Sequence, residues 1–454
     1  MSMEWGRLLN PGRLQRPDFD EAPGREAYLQ DYDRILFSEP FRRLAQKTQV
    51  HPLYQHDHVH HRMIHSMETC SVGRSLGTGV GHALLEKDRV SADQVLRIAG
   101  HVQAACLLHD IGNPPFGHSG EDSIGAWFAQ QFRAGSDLAA QVPQDQWAEF
   151  EHFEGNAQGL RIAGRLEMSR RDGGMRLSYA TLGSFLKYPC TRMVRDTVLD
   201  GQPAPYAGLK KFGVFAEDAP LLQEICAATG MIAEPDGWYR RHPLAFLVEA
   251  ADDICYRIMD IEDAAAVGDL ERADVAAALE EITGKRNREE DAAMPLGERV
   301  GLLRALAIGS ATQAAVQAFM DNYDAIMTGE FDGDLVGAST KADAFDTLQK
   351  LSVERIFVAR RKTELEVAGR QVLHRILDHF HRLFGDLAEC GWDQARLEKE
   401  HPHWQQLIRA VDLDLRGVED AYTGMHALAD FVSGMTDRYA VKVRDMVTGN
   451  LSEY

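Results

Sequence analysis

The chain has 454 residues, of which 44% are apolar, carries a net charge of −20 and contains six cysteines without a CxxC pair. That is enough for one large domain or two to three ordinary ones. The acidic balance argues against a general nucleic-acid coat, which needs Lys/Arg clusters, but leaves room for an anionic small substrate held by a few cations and a metal. The scattered cysteines exclude a disulfide framework and favour a reducing compartment. No apolar run reaches signal-peptide or membrane-span length, so a cytoplasmic protein with no membrane partner is expected.

Proline is scarce (16) and 3.6-residue periodicity runs through most of the chain, which predicts an all-α fold. Ile64 to Leu85 reads as one helix with Ile64, Met67, Val72, Leu76 and Val80 on its apolar stripe, loosened by Gly77, Gly79 and Gly81. A second helix, Ala92 to Asp110, carries Val95, Ile98, Ala99, Val102, Ala105 and Cys106, and His109 continues that buried face. Asn113-Pro114-Pro115 stops it, and Gly117 opens the next element. Asp137 to Trp147 reads as a polar surface loop. Tyr188 to Ala216, with Pro189, Pro203 and Pro205 among Gly201, Gly208 and Gly213, reads as a long irregular excursion. Pro243 starts a strong helix to about Val267. Helical patterns follow at Leu296–Ile326, Ala344–Cys390, Trp404–Val411 and Ala421–Thr448, with breaks at Gly329–Gly337 and Asp412–Gly417.

The strongest chemical signal is His109-Asp110 at a helix end, which sets an imidazole nitrogen beside a carboxylate oxygen. Both suit a borderline-to-hard divalent ion. The Gly and Pro residues that follow turn the chain sharply, so His118 can return toward the same cavity. A His-Asp pair alone is usually an ordinary helix end favoured by the macrodipole; a buried-face His, an adjacent acid and a second His together argue for a site. Further ligands come from the stretch His56-Asp57-His58-Val59-His60-His61-Arg62-Met63-Ile64-His65. His61 and His65 are themselves spaced to chelate on one helix face. His65 lies inside the helix, with Arg62 one turn away to grip a phosphate oxygen, whereas His58 and His60 read as loop residues. On the helix after Pro243, Asp252, Tyr256 and Asp260 share one narrow stripe. On an isolated helix that stripe would be a solvated face; Ala250, Ala251 and Cys255 nearby favour a packed one with the acids in a cavity.

The ordered set His65, His109-Asp110, Asp252 resembles the H…HD…D pattern of HD-domain phosphohydrolases, and within them the dGTPase/dNTP triphosphohydrolase family. RMIHSMET around His65, HDIGNPPFGHSGE from His109, HFEGNAQGLR from His152, YATLGSFLKYP from Tyr179, HPLAFLVEAADDICYRIMDIED from His242 and MTDRYA from Met435 carry the resemblance over residues 40 to 440. It implies an HD-domain helical core with a C-terminal helical extension: an N-terminal arm (1–40), a catalytic core (41–290) and a C-terminal region packed on it (291–454). It also implies hydrolysis of a dNTP, dGTP foremost, to deoxynucleoside and tripolyphosphate. One divalent ion per chain (Mn²⁺ or Mg²⁺, with other transition metals admissible) would be bound by His65, His109, Asp110 and Asp252. His118, oriented by Glu121, would move a proton at the 5′-oxygen or the water, with His152 a further candidate near the phosphates. Arg62 and Lys187 would neutralise phosphate charge, Tyr256 would pack on the deoxyribose, and Asp260 and Gln49 would bond its 3′-hydroxyl. Asn113, inside the HD block, completes the expected substrate-binding set. For Lys187, Tyr256 and Gln49 the plain alternatives are ion-pair, core and surface roles, and Arg360-Arg361-Lys362 reads as a solvated helix face.

The resemblance extends to a homo-oligomer, to an effector dNTP at a subunit interface and to single-stranded nucleic acid as partners. Two rival readings share the metal site: another HD-type nucleotide phosphohydrolase, such as a 5′-nucleotidase or phosphodiesterase, and a non-catalytic nucleotide- or single-strand-binding HD protein. An intact His118 and Glu121 speak against the second. No Walker or Rossmann glycine motif is present.

Overall fold

The computed structural model describes residues 2–50, 60–168, 173–284 and 294–450, which leaves His56, Asp57 and His58 outside the described part. Among the described residues the fold is helical, with isolated β-bridges and no strand. No helix there is long and apolar enough to cross a membrane.

Two long helices, α1 (Arg62–Glu86) and α2 (Ala92–Leu108), pack along each other. The turn between them is set by Ser91, whose hydroxyl accepts the Gln94 N–H while the Gln94 side chain accepts the Ser91 N–H. The helices approach closely at glycines. A Cβ on Gly77 would stand 2.8 Å from the Ala99 Cα, and one on Gly73 would stand 2.4 Å from the Cys106 Sγ. The glycines therefore form the contact rather than loosening it. The first turn of α1 is also rotated from the apolar reading: Ile64 is 38% and Met67 48% exposed, while His65, Ser66 and Thr69 are buried. At that end the helix turns His65 toward a cavity and leaves Ile64 and Met67 on the outer side.

The turn after α2 leads into α3 (Gly117–Ala134). Gly112 sits in this turn, where a Cβ would meet Gly155 O at 2.1 Å and Gly159 N at 2.2 Å, so the turn lies directly on the helix Gly155–Arg161. Helix α4 (Pro243–Val267) matches its predicted bounds. His242 Nδ1 accepts the Leu244 N–H at its start, and Gly268 ends it in the left-handed conformation. It packs on α1, α2 and α5 (Leu296–Asp321).

The expected single helix Ala344–Cys390 is instead two, Ala342–Leu351 and α6 (Arg360–Glu389), separated by a π-turn at Ser352–Ile356. Likewise Ala421–Thr448 divides into α9 (Ala421–Ser433) and α10 (Asp437–Thr448), with α7 (Gln394–Glu400) and α8 (Pro402–Val411) before them. Thr436 caps the second piece with its hydroxyl, a local signal the apolar pattern does not carry. The excursion Tyr188–Ala216 contains a helix, Arg192–Leu199, capped by Thr191. Asp137–Trp147 is less polar than expected, since Leu138, Ala139 and Val142 are buried.

The apolar residues form two cores that do not follow chain order. One joins the N-terminal Met3, Trp5 and Leu8 to α1, α2, α4 and α5. The other joins α3 and the excursion to α6 through α10. A cavity opens between them, with Phe185 and Val248 from the first core and Phe116 from the second in its wall.

Candidate active site

A cavity of about 520 Å³ collects side chains from α1, the turn into α3, α4 and the start of α6, a volume that suits a small-molecule ligand. Eleven of the thirteen residues singled out in the sequence line it: Gln49, Arg62, His65, His109, Asp110, Asn113, His118, Glu121, Lys187, Asp252 and Tyr256. His152 and Asp260 do not. His152 is exposed, just after the short helix Trp147–Glu151. Asp260 is 2% exposed and lies one turn beyond Tyr256 on α4, outside the cavity lining.

His65, His109 and Asp110 each offer a donor atom within 4.8 Å of the others. The two imidazole rings meet edge-on with centroids 5.2 Å apart. Asp252 Oδ1 lies 3.0 Å from His65 Nε2 and 3.4 Å from His109 Nε2. His109 Nδ1 donates to the Cys106 carbonyl at 2.7 Å, which turns Nε2 toward the cavity. That buried Nε2 has no hydrogen-bond partner. Two carboxylates facing two imidazoles, one with an orphaned buried nitrogen, form a donor set that fits a divalent cation. The charges agree. Burial disfavours a proton on His109, yet Asp110 and Asp252 lift it to about 9. Burial would likewise raise Asp252, but the two imidazoles hold it well below the usual carboxylate range. The two carboxylates thus favour positive charge at the imidazoles beside them.

Arg62 Nη1 donates to Asp110 Oδ2 at 2.8 Å, and Asn113 Nδ2 donates to Oδ1. Arg62 is buried and its Nε has no hydrogen-bond partner. Gly117, at φ +60°, gives the guanidinium passage, because a Cβ there would lie 2.7 Å from Nη2. His118 projects into the open side of the cavity, with its side chain 77% exposed, and its Nδ1 pairs with Glu121 Oε2 at 2.6 Å. Glu121 Oε1 accepts the Gly155 N–H at 2.8 Å, which fixes the carboxylate. The bond to Glu121 raises the His118 pKa.

Lys187 stands 3.4 Å from Glu249; burial opposes its charge, but that carboxylate lifts the ammonium above its usual range. Further charged residues outside the expected set line the cavity, and one of them, Lys362, is a correction, since it is largely buried there and not part of a solvated helix face. Lys211 bonds Glu154 at 2.8 Å, Lys362 pairs with Glu366, and Asp253 is pushed up by burial to about 7. Lys211 lies in the irregular excursion and Lys362 opens α6, where only the packing of the second core brings them to the site. His60 lies in the loop before α1, as read, and is held there: its Nδ1 is 2.7 Å from Asp263 Oδ1 and its N–H donates to Oδ2.

Residues 62–173 match the family model described as HD domain. The chain is 40% identical over 468 residues to a deoxyguanosinetriphosphate triphosphohydrolase-like protein of Pseudomonas aeruginosa, covering 99% of this chain and 100% of the relative. A protein of the same description from Synechocystis is 35% identical, covering 98% and 99%. A deoxyguanosinetriphosphate triphosphohydrolase of Yersinia enterocolitica is 27% identical, covering 93% of each chain. The HD-domain match and relatives aligned end to end place the chain in the deoxyguanosinetriphosphate triphosphohydrolase-like family of HD-domain phosphohydrolases.

Proposed function

We propose that the protein is a metal-dependent dNTP triphosphohydrolase, with dGTP foremost among its substrates, that releases deoxynucleoside and intact tripolyphosphate. The observation that carries this reading is one cavity holding the His/Asp donor set, the His118–Glu121 pair and the cations Arg62, Lys187, Lys211 and Lys362. A divalent cation such as Mn²⁺ or Mg²⁺, held by His65, His109, Asp110 and Asp252, would supply Lewis-acid polarisation of a phosphoryl oxygen.

The protein's own groups supply the rest. Arg62 and the three lysines exchange their carboxylate partners for phosphate oxygens, setting the triphosphate in register and matching its charge. His118, kept protonated by Glu121, faces the 5′-oxygen and gives it a proton as the bond from the α-phosphorus to that oxygen breaks. Water adds its oxygen to the α-phosphorus, so the products balance as deoxynucleoside and tripolyphosphate. Tyr256 offers its ring to the deoxyribose and Gln49 its amide to the 3′-hydroxyl; Asp260 lies outside the cavity lining. His152 lies away from this line of groups, so proton transfer rests on His118. A homo-oligomer with an effector dNTP or a nucleic-acid single strand at its joints belongs to the same reading, and light scattering with and without dNTP tests it.

The deciding experiment incubates the protein with each dNTP and Mn²⁺ or Mg²⁺, then separates the products by ion exchange. Deoxynucleoside plus tripolyphosphate is expected. Deoxynucleoside monophosphate plus pyrophosphate would instead favour another HD-type phosphohydrolase, and no turnover with tight nucleotide binding would favour a binding protein.

A further inference from the structure

Far along the chain from these ligands, one side-chain cluster combines thiol, carboxylate and imidazole. Cys390 closes α6, Glu400 ends α7, and His401 joins α7 to α8. One donor atom from each lies within 4.8 Å of the other two. Cys390 is 3% exposed, and its Sγ is 3.9 Å from Glu400 Oε2. Arg396 Nε grips the other oxygen, Oε1, at 2.7 Å and makes only a longer 3.4 Å contact to Oε2, so Oε2 is left facing the thiol. His401 Nδ1 lies 3.3 Å from Asp386 Oδ2, and Trp404 Nε1 holds that oxygen at 2.6 Å. A fixed carboxylate against an imidazole is the arrangement that orients metal-binding histidines.

We propose that Cys390, Glu400 and His401 bind a second divalent cation, of the zinc class, at the joint of α6, α7 and α8, with Asp386 as the positioning residue. The donor set selects the ion. A thiolate with an imidazole favours zinc over magnesium or manganese, which prefer oxygen. The spacing is close to what such an ion needs. Bonds of about 2.3 Å to sulfur and 2.0 Å to oxygen at a tetrahedral centre separate those donors by ~3.5 Å, so a small side-chain movement closes the set. Binding sends the thiol proton to solvent and leaves a thiolate on the ion. Cysteine spacing gave no hint of this site, because α7 separates Cys390 from Glu400-His401 in sequence while folding brings them together.

The test titrates Co²⁺ into the metal-stripped full-length protein. The active-site donors are nitrogen and oxygen only, and no cysteine lines that cavity. A thiolate-to-cobalt charge-transfer band therefore reports on a separate, thiol-containing site. The band should saturate at one ion per chain and vanish in Cys390→Ser, while metal analysis still finds the other ion. Asp386→Asn should weaken Co²⁺ at this site by ~10–100-fold. No band in the wild-type protein overturns the proposal whether or not the variants fold, and so does a band unchanged in Cys390→Ser.

Discussion

Asp437 Oδ1 accepts the backbone N–H of Phe116 at 3.0 Å, tying the C-terminal helix α10 to the turn that carries the HD residues and His118. Its other oxygen accepts from the Thr48 hydroxyl at 2.6 Å and the Thr48 N–H at 3.2 Å. Phe116 needs the hold, because it sits in the left-handed region at φ +64°. Lys47 braces the same turn, donating to the carbonyls of Asn113 at 2.6 Å and Ser433 at 2.8 Å. The region around MTDRYA thus acts as a clamp on the turn that lines the candidate site. Asp437→Ala leaves the buried Phe116 N–H and the half-buried Thr48 N–H without this acceptor and should cost about 1–3 kcal/mol. Urea unfolding should show that loss and kcat should fall, with bound metal retained. Wild-type stability and kcat together would remove the clamp role.

His118→Ala should lower kcat by ~10²–10⁴-fold while metal content and substrate affinity stay near wild type. A wild-type rate, or loss of the metal, would contradict the role given to His118.

The pH profile reports the direction of proton transfer. Glu121 raises the His118 pKa, so the protonated acid persists to higher pH and activity falls as pH rises through that raised value. Glu121→Gln removes the stabilising charge, and the alkaline limb should move to lower pH. If an acidic limb moves instead, His118 acts as a base on the water.

Asp252→Ala should remove both the bound cation and turnover, since this carboxylate reaches two imidazoles. Full metal occupancy in that variant, measured by elemental analysis, would transfer the ligand role to Asp253 or move the site elsewhere.

Gly112→Ala should destabilise the protein by about 1–3 kcal/mol or more, because the new methyl group meets backbone atoms that cannot rotate away. Thermal unfolding measures this, and an unshifted midpoint would mean that the turn yields easily.

The residues that meet in the candidate cavity were legible in the sequence because they sit in short local patterns: a His-Asp pair at a helix end, a Pro-Pro turn, an i, i+4 acid stripe. Helix α4 was readable to its last residue because Pro243 and Gly268 punctuate it. What stayed hidden depends on contacts between distant segments. Ile64 and Met67 look like core by period, but the helix rolls to face His65 inward. Asp260 shares its stripe with Asp252, yet it lies one turn beyond Tyr256 and is buried outside the cavity lining. Lys211 and Lys362 reach the site only because the excursion and α6 share the second core.

The central claim is cleavage between the 5′-oxygen and the α-phosphorus in this cavity. Turnover of dGTP with Mn²⁺ in ¹⁸O-labelled water, followed by ³¹P NMR and mass analysis, tests it directly. The account predicts one label in tripolyphosphate and none in deoxyguanosine. Label in the nucleoside hydroxyl, or phosphate products other than tripolyphosphate, would contradict it.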